Sequence, residues 1–305
     1  MLPRMVKRAV ELWKTDGPAW VAGAAASKVV ELFYPVLPPV TYKALYMFLR
    51  QGYWPNIRTP RTLNEKIAHR QLFAPHPLSS LVADKWRVRQ YVAERGLAQI
   101  LNEVYFVTDD PEKIPFDNLP DRFVIKANHG SLMNLFVTDK QTLDRQRVIR
   151  LCRRWLRHKY GRATLNYETH YDGIPPMILV ERYIDEGEHY VPTDYKFFCF
   201  HGSARLIEVD LARFVSHTRA IYDREWKDTG IRLVFPRGEV MPRPPRLAEM
   251  IQIAERLSGD FDFCRVDLYA PAPETILFGE ITTNHGGGLE RFVPREWDLR
   301  LGELW

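Results

Sequence analysis

The chain has 305 residues, of which 46% are apolar and 12% aromatic, which is enough to bury the core of one large or a few small globular domains. The formal charge of +5 suits an anionic partner, but a nucleotide, a polyanionic glycan, RNA and anionic lipid fit equally well. Cys152, Cys199 and Cys264 form no CxxC pair and have no histidine at ligand spacing, which argues against a disulfide framework and a structural zinc site.

Residues 1–61 are predicted to form a short, mainly helical region, interrupted by Pro35, Pro38, Pro39, Pro55 and Pro60. Charged residues near the start replace the apolar run of a signal peptide, and no stretch reaches the roughly 20 apolar residues that cross a bilayer. We therefore expect a cytoplasmic protein without a transmembrane segment. The segment VAGAAASKVVELF is typical of a packing helix, with peripheral contact to a membrane surface as the minor alternative.

Two helices and three strands are predicted in the middle of the chain. Asp84 caps the first helix and Gly96 ends it, and short strands follow at NEVYFV, RFVIKA and LMNLFV. The second helix covers 144–161, with Asp144 as its cap and Gly161 at its end. Eight Lys or Arg lie between positions 145 and 162 with no acid among them, so this helix is either an acceptor-binding surface or a solvated face.

The second half of the chain is rich in predicted strands: MILVERYI, DYKFFCFHG, ARLIEVDLARF and RAIYDREW. Their short connections, such as His201-Gly202, are typical of hairpin turns. An amphipathic helix follows at 246–257, and the last two strands, FDFCRVDLYA and TILFGEIT, flank the turn PAPE. Antiparallel strands with intervening helices predict an α+β fold.

The final hairpin carries the most informative charged residues. Alternation places Arg265 and Asp267 on one face of the first strand, and Glu280 and Thr282 on one face of the second, so that Asp267 faces Glu280. Two opposed carboxylates repel unless a cation lies between them or one is protonated. Hard oxygen ligands of this kind suit Mg²⁺ shared with substrate phosphates. The alternative is a surface hairpin in which Arg265 neutralises both acids.

Two other segments place charged residues beside strands. In FVIKANHGS, residues 123–131, a strand delivers Lys126 into a turn whose backbone amides can point at phosphate oxygens, although an ordinary hairpin turn with an exposed lysine fits as well. The P-loop order GxxxxGK[ST] is absent. In TDYKFFCF, Asp194 and Lys196 share one strand face. On their own, both segments fit strands that run out into solvated loops.

In their order along the chain, eight stretches resemble the ATP-grasp superfamily: TLNEKI, ADKWRVRQYV, FVIKANHGS, LVERYI, DYKFFCFHG, IYDREW, FCRVDLY and FGEITTNHGGG. The run from about Thr62 to Trp305 is similar to its TupA-like branch, linked to teichuronopeptide and other surface-polysaccharide synthesis. The resemblance implies an α+β ATP-grasp domain at 62–305, with two α/β subdomains whose antiparallel sheets clamp ATP. Residues 118–184 would form the smaller lid subdomain and 185–305 the larger metal-binding subdomain.

The resemblance also implies ATP and Mg²⁺ as cofactors and assigns residues to them. The nucleotide would be bound by Lys85, Lys126, Asn128, His129, Gly130, Ser131, Glu181, Arg182, Tyr183, Ile184 and Asp194. In this assignment the lysines hold the phosphates, 128–131 form a mobile loop over them, and Glu181 accepts from the adenine amino group. The backbone of 182–184 bonds to the ring. The ribose acid is Asp194, with Glu188 as the alternative.

Asp267 and Glu280 would be the metal ligands in the resemblance, with Arg265 and Lys196 as catalytic cations. The usual E-x-N motif is Glu280-Ile281-Thr282 here, so the third ligand is Thr282, Asn284 or water. Arg265 would stabilise the negative charge that develops during transfer. His129 and His285 are candidates for deprotonating the amine, although ordinary hydrogen-bonded loop histidines are the reading we favour.

The activity implied is attack of a carboxylate on the γ-phosphate of ATP to give an acyl phosphate, which an amine converts to an amide. The partners would be ATP, an acid and an amine acceptor, with a polyanionic glycan as one option and no nucleic acid. An acidic polysaccharide or peptide-like substrate in cell-surface glycan synthesis would follow from the family. The alternatives are a phosphotransferase acting on a sugar hydroxyl, a glycosyltransferase, and a glycan- or nucleic-acid-binding module.

Overall fold

The computed structural model of the chain describes residues 18–185, 193–211 and 217–305. The helices are α1 (Pro18–Val30), α2 (Pro39–Gln51), α3 (Leu63–Leu72), α4 (Ser79–Ala83), α5 (Val88–Glu94), α6 (Arg145–Arg157), α7 (Tyr160–Ala163), α8 (Leu247–Ser258) and α9 (Glu296–Leu304). The strands are β1 (Val104–Thr108), β2 (Phe123–Ala127), β3 (Asn134–Val137), β4 (Ile178–Arg182), β5 (Asp194–Phe200), β6 (Ser203–Leu211), β7 (Thr218–Asp223), β8 (Arg232–Leu233), β9 (Phe263–Ala272), β10 (Thr275–Thr282) and β11 (Phe292–Val293).

Helices α1 and α2 form a pair ahead of the two sheets. They approach closely at Gly23, where an added Cβ would lie 2.3 Å from the carbonyl oxygen of Leu49. Helix α2 also reaches the other end of the chain, because Lys43 donates to the carbonyl oxygen of Gly287 at 2.7 Å and Gln51 to that of Gly288 at 3.0 Å. The predicted N-terminal region is therefore helical where it is described, and it packs on the loop that follows β10.

Helix α3 begins with a capping box. The Thr62 hydroxyl accepts from the backbone N–H of Glu65, and the Glu65 carboxylate accepts from the backbone N–H of Thr62. No helix among the described residues is long and apolar enough to span a bilayer.

The first sheet has four antiparallel strands in the order β1-β4-β2-β3. Helix α6 covers one face with Val148, Ile149, Cys152 and Trp155. The sheet includes β1, which lies before the predicted lower bound of 118 for the lid, and the domain division stays a prediction.

Helix α6 is shorter than predicted. It ends at Arg157 because His158 is extended, and a separate short helix, α7, contains Gly161. Asp144 caps its first turn as predicted, accepting from the backbone N–H of Arg147 at 2.9 Å. The interpretation that no acid compensates the basic residues of this helix is wrong in part. Arg145 pairs with Asp117 and Arg153 pairs with Glu112, two acids in the turns that precede the helix. The sequence argument counted acids only within the helix, whereas these acids reach it from outside.

The second sheet has five antiparallel strands in the order β10-β9-β5-β6-β7. Helix α8 covers its apolar face through Leu247, Met250, Ala254 and Leu257. The opposite face is divided. At one end Phe198, Phe200 and Phe263 pack with α3 and α9, and at the other end charged side chains face the first sheet. The three cysteines are buried free thiols.

Two hairpin turns set the register of this sheet. His201 and Gly202 both have positive φ, +47° and +75°, as a two-residue turn between β5 and β6 requires. The last hairpin turns at Pro273 and Glu274, within the predicted PAPE segment. The resulting register places Glu280 opposite Asp267, which confirms the predicted facing pair.

Candidate active site

The two sheets enclose a cleft with a volume of about 430 Å³, and most of the predicted site residues line it. Those lining it are Lys85, Lys126, Gly130, Ser131, Glu181, Arg182, Ile184, Asp194, Lys196, Arg265, Asp267 and Glu280. Strands β2 and β4 contribute from the first sheet, and β5, β9 and β10 from the second. Residues separated by nearly 200 positions in the chain are thus brought to one place, although their roles stay predictions.

Five predicted residues do not line the cleft, and three of them, Asn128, His129 and Tyr183, direct their side chains elsewhere. Asn128 is 1% exposed, and its amide accepts from the backbone N–H of Met177 at 2.7 Å and donates to Asp84 at 2.9 Å. His129 is buried, with Nε2 3.1 Å from the carbonyl oxygen of Trp155. Tyr183 packs against Phe136. The cleft is instead lined by 130–134 of this loop, because the chain turns at Gly130.

Gly130 is required by close packing. An added Cβ would lie 2.5 Å from the Met133 side chain and 2.6 Å from the ring of Tyr160. The Lys85 ammonium donates to the carbonyl oxygen of Gly130, and burial lowers the pKa of Lys85, with Glu280 partly opposing the shift. Across the cleft, the Lys126 ammonium lies 2.7 Å from Glu181 Oε2. Both ammonium groups are therefore bound by protein oxygen atoms in the cleft, and phosphate oxygens could replace these acceptors.

Arg265 joins the two facing carboxylates. Its Nε lies 2.6 Å from Asp267 Oδ1, and its Nη2 lies 2.7 Å from Asp267 Oδ2 and 2.8 Å from Glu280 Oε1. Lys196 donates to Asp267 Oδ2 at 2.9 Å and also pairs with Asp194. The arginine bridge considered for a surface hairpin is thus present, but Asp267 is only 2% exposed, so this hairpin lies inside the cleft.

The charge state of Asp267 follows from these contacts. Burial alone would raise the pKa of Asp267, but the charges of Arg265 and Lys196 outweigh burial and lower the pKa below its ordinary value. For Lys196, burial would lower the pKa, and Asp194 and Asp267 raise it above its ordinary value. Both groups are therefore charged at neutral pH.

The oxygen atoms around this hairpin suit a hard cation. Glu280 leaves about half of its side chain exposed, and Thr282 donates to Glu280 Oε1 at 3.0 Å. Asn284 is 6% exposed, and its Oδ1 has no hydrogen-bond donor among the described residues. Carboxylate, hydroxyl and amide oxygens are the ligands that Mg²⁺ accepts. The alternative ribose ligand Glu188 lies outside the described residues.

Sequence reasoning missed a buried charged network beside the cleft. Arg219 lies 2.9 Å from Glu208 Oε1, 2.8 Å from Asp210 Oδ1 and 3.7 Å from Glu290 Oε2. His285 lies 2.7 Å from Glu290 Oε2 and 2.8 Å from Arg265 Nη1. Glu208, His285 and Glu290 are close enough together to hold a metal ion, and Arg219 lies within ion-pair distance of both acids.

His285 is 2% exposed, and its Nδ1 is hydrogen-bonded to Arg265, so a buried loop histidine fits it better than a base for the amine. The alternation of Glu208 and Asp210 in strand β6 was a usable signal for the missed network, since two acids on one strand face require a cation nearby.

A second cavity of about 300 Å³, here called the side cavity, opens beside the hairpin. It is bounded by Tyr160, Asn166, Glu168, Tyr171 and Asn284. Lys85, Gly130, Ser131, Arg265, Gly279 and Glu280 line both the side cavity and the cleft. A molecule in the side cavity would therefore meet the last hairpin where Lys85 and Glu280 line both spaces.

Comparisons with known proteins identify the family of this arrangement. The family model described as TupA-like ATPgrasp matches residues 65–305. No curated protein sequence matches the chain significantly. The chain is similar to the solved ATP-grasp ligase PsnB with a minimal precursor, at 13% identity and a TM-score of 0.40, covering 68% of this chain and 55% of that one.

Two other solved structures are of the same kind. D-alanine–D-alanine ligase from Bacillus anthracis is 18% identical with a TM-score of 0.40, covering 68% of this chain and 59% of that one. L-amino acid ligase from Bacillus licheniformis is 14% identical with a TM-score of 0.41, covering 70% and 43%. The chain spans about half the length of these solved proteins.

Proposed function

Since the chain belongs to the TupA-like ATP-grasp family, as its sequence motifs predicted, we propose that it is an ATP- and Mg²⁺-dependent ligase that joins a carboxylate to an amine through an acyl phosphate. The observation that carries the proposal is the pair Asp267 and Glu280, which face each other in the cleft and are bridged by Arg265. No side-chain nucleophile is needed, because the substrate carboxylate itself attacks the γ-phosphate.

The cleft supports binding of ATP along its length. Its volume of about 430 Å³ suits a small-molecule ligand, and Leu101, Val124 and Phe136 give one end an apolar lining. Glu181 lies at that end and would accept from the adenine amino group. Lys85, which is close to Glu280, and Lys126, whose ammonium now contacts Glu181, would bind the phosphates. Asp194 would meet the ribose, where its contact with Lys196 would hold the carboxylate charged.

The hairpin residues would position and stabilise the reacting groups. Asp267, Glu280, Thr282 and Asn284 provide the oxygen atoms that would hold Mg²⁺, which when bound neutralises phosphate charge. Arg265 donates from a guanidinium already fixed by Asp267, so little reorganisation is needed as charge develops on the transferred phosphoryl group. Lys196 keeps Asp267 ionised and in place.

The acid would be a polysaccharide or peptide-like molecule used in cell-surface glycan synthesis, and the reaction would take place in the cytoplasm. Helix α6 supports a polyanionic substrate, because Arg147, Arg150, Arg154 and Arg157 are exposed and form no ion pair among the described residues. A sugar phosphotransferase is the alternative, and the products of the reaction distinguish the two.

Trapping with hydroxylamine tests the proposed function. Uronic acids and amino acids are incubated with ATP, Mg²⁺ and hydroxylamine, and hydroxamate and ADP are measured. We expect both products with the correct acid, because hydroxylamine intercepts an acyl phosphate. Asp267→Asn should abolish both, and Glu274→Gln, an exposed change in the turn of the same hairpin, should leave them unchanged. Stable phosphate transfer to a hydroxyl, with no hydroxamate from any acid, would contradict the ligase function.

A further inference from the structure

The side cavity has two chemically different ends. At the end shared with the cleft, Arg265 offers a cation next to Glu280. At the far end, Glu168 offers a carboxylate. Tyr160 and Tyr171 also line the side cavity, with their ring centroids 4.8 Å apart. A molecule that fills this cavity therefore meets a cation at one end and an acid at the other.

Glu168 has no cation to neutralise it directly. Among the described residues no Lys, Arg or His forms an ion pair with it, and the nearby Thr164 hydroxyl donates to the carbonyl oxygen of Gly161 at 2.9 Å. Lys43 acts on it only at a distance, because its ammonium donates to Gln71 Oε1 and to the carbonyl oxygen of Gly287, both at 2.7 Å. Burial raises the pKa of Glu168, with Lys43 opposing the shift. A carboxylate in this setting is stabilised by a ligand cation.

A second acceptor of the cavity also lacks a donor. Asn284 donates through Nδ2 to His170 Nδ1 at 3.2 Å, whereas its buried Oδ1 has no hydrogen-bond donor among the described residues. A buried oxygen left in this way is unfavourable, and a ligand N–H would satisfy it. The same oxygen is a candidate metal ligand, so Glu168 is the residue that distinguishes an amine from a metal ion.

We infer that the side cavity binds the amine substrate as its ammonium ion, with Glu168 as the carboxylate that receives it. This inference rests on the ligase function proposed above. The substrate carboxylate cannot take that place, since Glu168 would repel it, and it is attracted to Arg265 and Lys85 at the shared end. The acid and the amine would thus share the side cavity, and the γ-phosphate would lie between them and the rest of the nucleotide.

The protons of the amine have defined destinations in this arrangement. The ammonium gives one proton to Glu168 and becomes a neutral amine. Its nitrogen then forms a bond to the acyl carbon, the bond from that carbon to the phosphate oxygen breaks, and the phosphate leaves with the electron pair. The second proton of the attacking nitrogen leaves with the phosphate as hydrogen phosphate. Glu168 returns its proton to solvent before the next turnover.

Calorimetric titration tests the ammonium site without turnover. Ethanolammonium chloride is added to the full chain with Mg²⁺ and a non-hydrolysable ATP analogue, and potassium chloride of equal ionic strength is the reference. We expect saturable binding that Glu168→Gln weakens about tenfold or more, as expected when a charged hydrogen-bond acceptor is lost. Glu168→Asp should retain more affinity than Glu168→Gln, and Glu103→Gln, an exposed change, should retain all of it.

A kinetic comparison separates this inference from the proposed function. Hydroxylamine is uncharged at neutral pH, so it needs no ammonium site. We expect Glu168→Gln to lower kcat/KM for ligation of ethanolamine about tenfold more than it lowers kcat/KM for hydroxamate formation. The loss should appear in the KM for the amine. Equal losses in both reactions, or unchanged ethanolammonium affinity, would overturn the role of Glu168 and leave the ligase function standing. Ammonium binding that requires Glu168, without hydroxamate from any acid, would instead refute the ligase function.

Discussion

Replacing Arg265 by alanine is the most direct test of how the facing carboxylates are held. The guanidinium makes two contacts with Asp267 and one with Glu280, at 2.6–2.8 Å. Breaking a buried ion pair by removing one partner costs about 3–5 kcal/mol. Lys196 still contacts Asp267, and Glu280 can turn towards water, so we expect the lower end, about 3 kcal/mol, or roughly 6–10 °C in Tm for a chain of this size.

Thermal and urea denaturation in EDTA measures this loss, with Arg224→Ala as the matched control. Arg224 forms an exposed pair with Glu255, so its removal should cost less than about 1 kcal/mol. Mg²⁺ should stabilise Arg265→Ala more than it stabilises the wild type, because the opposed acids are then free to bind it; at a hundredfold excess over the Kd of the variant, Mg²⁺ adds about 2.7 kcal/mol to the stability of that variant. A variant as stable as the wild type in EDTA, or equal Mg²⁺ effects on both proteins, would refute the reasoning.

Three other predictions follow from the site and its surroundings. ATP with Mg²⁺ should raise Tm more than GTP does, and Glu181→Gln should narrow the difference, because the carboxylate accepts from the adenine amino group; equal shifts in the wild type would count against this site. Burial lowers the pKa of His170 to about 4, so the unfolded chain binds this proton first as pH falls from 6.5 to 4. Urea denaturation should show that the free energy of unfolding of the wild type falls by up to about 3 kcal/mol between pH 6.5 and 4, and that the free energy of His170→Asn does not fall in this way. Equal pH profiles of the two proteins would contradict the lowered pKa of His170. Reversing Arg150 and Arg157 to Glu should raise the KM for a polyanionic acceptor at low ionic strength without changing that for ATP, whereas Arg224→Glu should change neither; an unaltered acceptor KM would make α6 a solvated face.

The facing pair in the last hairpin could be predicted because it depends on local rules. Strand alternation fixes which side chains share a face, and a short turn fixes the register between neighbouring strands. Asp267 and Glu280 meet for these reasons alone. The burial of the pair could not be predicted in this way, because it depends on the first sheet, which lies across the cleft from the hairpin.

The loop after β2 shows where sequence reasoning stops. Motif order selected Asn128 and His129 together with Gly130 and Ser131, but side-chain direction in an irregular loop follows no period. Asn128 turns inward because it can satisfy the backbone N–H of Met177, which belongs to a segment nearly fifty residues away. Glu168, at the far end of the side cavity, could not be predicted for the same reason, since it lies in a segment without helical or strand periodicity.

The contacts of α2 with Gly287 and Gly288 mean that the boundary of the family match is not a boundary of folding. The match begins at residue 65, yet Lys43 and Gln51, which precede it, hold two carbonyl groups of the loop that follows Glu280 and Thr282. Opening of the first two helices would therefore release that loop, and local unfolding at one terminus would be felt as lost order around the hairpin. In hydrogen exchange, the amides of α2 and those of 284–288 should open with one common free energy. The segment outside the recognised domain is in this sense part of its cooperative unit.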